Sequence, residues 1–221
     1  MLLAIQPFQV ELLISPDLWE FDRFFFEKHK SLCGIDEAGR GPLAGPLVAC
    51  AVHWFSPPEN LPVKDSKALP EKERRRLFFK IISSCSFFSF GLVSVAEMRN
   101  MTMHQANLLA MERALLGLPL TPGLVLIDGK FVLPRFKAAP QLAIVHGDSV
   151  SGAIASASIL AKVYRDTLMI ALDRLYPQYG FARHKGYATR EHYQVLKKMG
   201  VTQEHRINYQ CLRSFLENEG V

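Results

Sequence analysis

Three segments that read as strands close on acids: Asp36 with Glu37, Asp128, and Asp148. A single Asp at a strand end often does no more than form a turn, as Asp128-Gly129 can. Carboxylates carried from several strands to one sheet edge repel one another, and a hard cation is what makes such a cluster tolerable. Acids without His or Cys select Mg²⁺ or Mn²⁺ over zinc. Neighbouring strand residues point to opposite faces, so Asp36 and Glu37 can share a cation only if the strand stops at Glu37 and turns at Gly39.

Two further segments carry groups suited to a sugar-phosphate chain. In Ala38-Gly39-Arg40-Gly41-Pro42, glycines flank an arginine. Gly39 and Gly41 let backbone N–H groups approach a sugar or phosphate, and the Arg40 guanidinium can fork onto phosphate oxygens. Residues 176–189, YPQYGFARHKGYAT, interleave aromatics with Arg183, His184 and Lys185. That mixture suits stacking on sugars combined with phosphate contact. His53, His104, His192 and His205 show no metal-ligand spacing and read as packing or surface residues.

The elements that must position these groups follow from periodicity and punctuation. Ser15-Pro16 starts a helix, with Leu18, Phe21 and Phe25 on one face. Residues 32–37 and 47–55 form a hairpin across AGRGPLAGP. A helix runs from Pro70 to Cys85, a strand over 87–95, and one helix over 96–116. Short buried strands over 124–127 and 142–145 follow, then one long helix over 151–175 whose Ala and Ser allow close packing on a sheet. Thr189 caps a last clear helix through Met199. This order predicts an α/β fold with a central mixed sheet flanked by helices, with ligands beyond the carboxyl ends of its strands.

With 221 residues, 49% hydrophobic and 21% charged, the chain is an ordinary globular protein with room for one large core. The excess of 26 Lys+Arg over 21 Asp+Glu, +5, permits an anionic partner without requiring one. Four scattered cysteines without a C-x-x-C exclude a disulfide framework and a structural zinc site. No secretion signal and no apolar run of spanning length is present, so the expected location is the cytoplasm, with no membrane partner.

The segment CGIDEAGRGPLAGPLVACAV, residues 33–52, resembles the first motif of the ribonuclease HII family. DSK (65–67), NLLAMERAL (107–115), GDSVSGAIASASILAKVYRD (147–166) and YGFARHKGYAT (179–189) agree with it in order and spacing, so the resemblance covers roughly residues 17–210. It implies an RNase H-like fold, with residues 1–30 as an N-terminal extension bearing one helix. Residues 31–221 would be the catalytic domain, including a helical C-terminal part from about 175. It implies an endoribonuclease acting on RNA–DNA hybrids and on duplex DNA with embedded ribonucleotides, with Mg²⁺ or Mn²⁺ as cofactor, acting as a monomer. Metal-binding acids are carried onto Asp36, Glu37 and Asp128, and a fourth onto Asp148. Ribose sensing falls to Gly39, Arg40 and Gly41, and junction sensing to Tyr187. Ser66, Lys67, Lys162, Arg165 and Lys185 match positions near the substrate backbone. The chain departs from the family in His146 before Gly147-Asp148 and in Gly152-Ala153, and near its end it keeps only the pair His205-Arg206. Three competing readings are a ribonuclease HIII-like nuclease, whose extra N-terminal domain has no counterpart before residue 30, a non-catalytic hybrid-binding protein, in which the acid set would be broken, and a metal-dependent phosphatase of small molecules, which would not need the basic aromatic segment over 179–189.

Overall fold

The computed structural model describes residues 17–64, 66 and 69–219. Its elements are α1 (Trp19–His29), β1 (Leu32–Ala38), β2 (Leu47–Trp54), α2 (Glu71–Ser84), β3 (Phe87–Val93), α3 (Val95–Met98), α4 (Met103–Leu116), β4 (Leu124–Asp128), β5 (Gln141–Ile144), α5 (Gly152–Leu175), α6 (Phe181–His184), α7 (Arg190–Met199) and α8 (Gln210–Glu219). The strands form one mixed sheet in the order β3-β2-β1-β4-β5. The β1–β2 and β2–β3 pairs are antiparallel, while β1–β4 and β4–β5 are parallel. The α/β class with a central mixed sheet is as the sequence predicts.

Alternation along β1 sorts its residues between two layers. Cys33 and Ile35 join Ala106, Ala110 and Met111 of α4 in one core, and Val48, Cys50 and Val52 of β2 meet Ala153, Ala157 and Leu160 of α5 in the other. Gly34 allows the closest approach, since a Cβ there would lie 2.1 Å from the Ala153 carbonyl carbon. The N-terminus of α5 therefore rests directly on β1. Helix α1 braces the same end: Asp22 Oδ2 accepts the Ala153 N–H at 2.7 Å, and Trp19 packs edge-on against Trp54. A third core, with Leu43, Met169, Phe181 and Leu196, ties the C-terminal helices to the loop after β1.

Several boundaries differ from expectation. The helix expected over 96–116 is two helices, because Ser94 with Glu97 and Thr102 with Gln105 each form a reciprocal capping box that starts a new helix. The Ser94 cap also ends β3 at Val93 rather than residue 95. Helix α1 begins at Trp19, whose N–H bonds the Asp17 carboxylate, and Ser15 and Pro16 lie outside the described residues. Helices α6 and α8 fall in the C-terminal part from about residue 175 that the resemblance implies to be helical; α6, with four residues, is too short for periodicity to mark. Cys33 and Cys50 are buried free thiols and Cys85 is a half-buried one. Among the described residues no helix is long and apolar enough to cross a membrane.

Candidate active site

Parallel pairing of β1 with β4 puts Ile35 opposite Ile127, so the next residues along, Asp36 and Asp128, emerge side by side at the carboxyl ends of the two strands. Asp36, Glu37 and Asp128 each offer a carboxylate oxygen within 4.8 Å of the others, and they are the metal-competent cluster found among the described residues. At that spacing each ionised pair costs on the order of 3 kcal/mol at an effective dielectric of about 20. Three carboxylates with no His or Cys fit a hard divalent cation.

Contrary to expectation, β1 does not stop at Glu37; it stays paired through Ala38, opposite Val48. The two acids do point to opposite layers: Asp36 accepts a hydrogen bond from Ser158 on α5, and Glu37 from Asn107 on α4. They converge because the Asp36 carboxylate folds back onto the Glu37 backbone N–H at 2.7 Å. The turn itself falls at Gly39 as expected, with φ +104°. Burial, followed by the charges of Glu37 and Asp128, pushes Asp36 well above the usual carboxylate range. Burial also raises Glu37, with the Arg40 guanidinium opposing it and Asp128 adding to it. Carboxylates held in this state favour a cation that restores their charge.

Asp148 is not on a strand. Strand β5 ends at Ile144, and Asp148 sits buried in a single 3₁₀ turn, Gly147–Ser149, outside the 4.8 Å trio. The preceding residue links that turn to the trio, since the Gly147 N–H donates to Asp128 Oδ1 at 2.7 Å.

The loop after β1 and the turn before α7 come together beside the acids. A Cβ on Gly41 would stand 4.0 Å from Tyr187 Cε1, and the Tyr187 side chain is exposed. Arg40 is exposed and reaches Glu37 Oε1 at 3.3 Å. Lys162 pairs with Asp166 at 2.8 Å and lies 5.6 Å from the Tyr187 ring centre. Lys185 is half-buried, its ammonium on the Ala182 carbonyl.

Two expectations at the substrate backbone need correction. Arg165 is fully buried, and its guanidinium donates to the carbonyls of Pro46, Lys185 and Ala44 at 3.0–3.1 Å. Buried and bonded to these three carbonyls, it holds the loop and has no exposed face for a phosphate. Ser66 is likewise buried, with its hydroxyl 2.9 Å from that of Ser158, the partner of Asp36. It backs the acid from behind rather than facing a nucleic acid. Lys67 lies outside the described residues.

Sequence reasoning missed the supports. Ser158 was hidden in a small-residue run, and Asn107 in a helix read for its apolar face. His192 and His205 are buried as expected of packing residues, yet they form a specific polar chain with Nε2 atoms 3.0 Å apart. The His205-Arg206 pair was the one sequence signal for this region.

A mixed sheet that brings three carboxylates to the ends of two parallel strands defines the class: an RNase H-like α/β protein with a centre for hard cations. The family model described as Ribonuclease HII matches residues 33–216. A relative from Levilactobacillus brevis named Ribonuclease HII is 42% identical over 97% of this chain and 79% of its own. One of the same name from Thermus thermophilus is 46% identical over 82% of this chain and 87% of its own. The crystal structure of ribonuclease H2 from Pyrococcus horikoshii OT3 superposes with a TM-score of 0.71 at 25% identity, covering 86% of this chain and 99% of that one. The chain belongs to the ribonuclease HII family.

Proposed function

We propose that this ribonuclease H hydrolyses the RNA strand of RNA–DNA hybrids and incises duplex DNA on the 5′ side of embedded ribonucleotides, leaving 3′-hydroxyl and 5′-phosphate ends. The observation that carries this reading is the position of the Asp36–Glu37–Asp128 trio directly beside the Gly39–Gly41 loop and Tyr187. Chemistry and sugar reading are thereby adjacent.

In this reading Asp36, Glu37 and Asp128 hold divalent cations, Mg²⁺ or Mn²⁺, and Asp148 completes the set from its turn. When bound, such ions supply an activated water and charge to stabilise the leaving 3′-oxygen. The chain's own residues do the rest. Ser158 and Asn107 fix the two adjacent acids from opposite layers, and Gly147 fixes Asp128. Arg40, ion-paired with Glu37 and otherwise open to solvent, is placed to meet a phosphate. Backbone groups of Gly39 and Gly41 read the ribose 2′-hydroxyl, the feature that separates RNA from DNA. Tyr187 packs on the neighbouring deoxyribose, and Lys162 and Lys185 attract the backbone. Residues 31–221 act as one catalytic unit, as a cytoplasmic monomer.

The test is cleavage of end-labelled duplexes carrying zero, one or four ribonucleotides, with Mg²⁺, Mn²⁺ or EDTA. Cutting of the all-DNA duplex, or cutting in EDTA, would overturn the reading.

A further inference from the structure

We infer that His205 and Arg206 form a clasp that sets the spacing between the Gly39–Gly41 loop and Tyr187, and so act as positioning residues for selectivity toward a single ribonucleotide. The inference rests on the proposed function, in which those two segments read the sugars.

Arg206 works on the loop. It is 3% exposed, and its guanidinium donates to the carbonyls of Gly45 at 2.7 and 2.9 Å, Pro42 at 3.0 Å and Arg40 at 3.3 Å. Its own N–H bonds the Leu43 carbonyl at 2.8 Å, and His205 forms a bridge with Ala44. With the Ala44 and Pro46 carbonyls held by Arg165, every carbonyl from Pro42 to Pro46 is turned toward the protein. The Leu43 and Gly45 N–H groups are also taken up, by the carbonyls of Gly186 at 2.8 Å and Glu204 at 2.9 Å, so the loop is held from both its donors and its acceptors. Burial lowers the proton affinity of both arginines and, together with the charge of Arg206, pulls Arg165 to about 10.

His205 works on the tyrosine. The Thr202 N–H donates to His205 Nδ1 at 2.8 Å, so the His205 proton is on Nε2 and points at His192 Nε2. His192 in turn carries its proton on Nδ1 and donates to the Tyr187 carbonyl at 2.9 Å. Both rings are neutral, their pKa values pulled down to about 4 chiefly by burial. Two adjacent residues of one segment thus grip the two sides of the gap between Gly41 and Tyr187.

The acid trio is supported separately, by Ser158, Asn107 and Gly147. Loosening the clasp should therefore change how sugars are read while the metal centre stays intact. A long hybrid offers a 2′-hydroxyl at every sugar and tolerates a displaced reader, whereas a duplex with one ribonucleotide does not.

The experiment compares kcat/KM on duplexes with one and with four ribonucleotides for the wild type, Arg206→Lys, His205→Ala and His205→Gln. Mn²⁺ affinity by calorimetry and the melting temperature are measured alongside. Lys keeps the charge of Arg206 but not its fork, and Gln can return a donor to the position of His205 Nε2. Displacement of a reacting group by about 1 Å can cost up to roughly a hundredfold. The expected result is a loss of about tenfold on the single-ribonucleotide duplex for Arg206→Lys and His205→Ala, much less on the four-ribonucleotide duplex, unchanged Mn²⁺ affinity, and recovery in His205→Gln. Proportional losses on both substrates, or an unchanged ratio, would overturn the clasp. A wild type that cuts neither duplex would instead overturn the proposed function, so the two failures are distinguishable.

Discussion

The Asp36 carboxylate accepts a hydrogen bond from the backbone N–H of Glu37, its neighbour in the chain, at 2.7 Å. Strand geometry separates the two side chains onto opposite faces of the sheet, and this bond draws one of them back along the strand end. Asp128, on the parallel neighbour, closes the trio.

Asp128→Asn keeps the size of the side chain and removes its charge. Cleavage with Mg²⁺ should fall by several orders of magnitude, while the melting temperature without metal stays close to that of the wild type and hybrid binding persists. A cation that binds the native state raises stability by RT ln(1 + [L]/Kd), so added Mn²⁺ should raise the melting temperature of the wild type more than that of the variant. Turnover near the wild-type level at saturating Mg²⁺ would remove Asp128 from the site.

Substrate affinity should weaken steeply with salt. Arg40, Lys67, Lys162 and Lys185 are the cations assigned to the substrate track, and each phosphate neutralised contributes a log–log slope of about −0.9 on B-form DNA. Arg40→Ala should make the slope shallower by roughly that amount. Arg165→Lys should leave the slope unchanged, because the Arg165 guanidinium is fully buried against carbonyls. A flat salt response in the wild type would contradict a basic track.

Tyr187→Ala removes both the ring and its hydroxyl, and Tyr187→Phe removes the hydroxyl alone. On a duplex with one ribonucleotide, Ala should lose most activity and Phe should fall between Ala and wild type. On a long hybrid both losses should be smaller. Equal losses on the two substrates would mean that Tyr187 supports the site generally, without reading a junction.

Asp22 gives the fold a pH dependence away from the metal centre. Burial is the main cause that raises its carboxyl from 3.8 to about 7, against hydrogen bonds from Ser151 and the Ala153 and Gly152 backbones. The folded state then holds a proton that the unfolded chain has released. The contribution of this group to stability is fully present below about pH 4 and is lost as pH rises through about 7. Asp22→Asn cannot titrate, so its stability relative to wild type should rise between pH 5 and pH 8 by on the order of a few kcal/mol, read from urea unfolding at each pH. A constant gap across that range would show that Asp22 is ionised throughout.

The sequence by itself marked the groups from which the site is built. Asp36, Glu37 and Asp128 at strand ends, glycines around Arg40, and an aromatic among basic residues at Tyr187 are legible because a strand period, a turn residue and a side-chain type are local properties. The α/β class, the hairpin and the long α5 helix were legible for the same reason. What only the tertiary structure decided is which groups face solvent and which face protein. Lys162 and Arg165 lie one turn apart on α5, yet the first sits at the surface near Tyr187 and the second is buried under the loop. Ser158, Asn107, His205 and Arg206 acquire their roles from elements distant in the chain that pack against the acids, the loop and the tyrosine. Hydrogen-bond partners of that kind depend on three-dimensional juxtaposition, and no local periodicity encodes it.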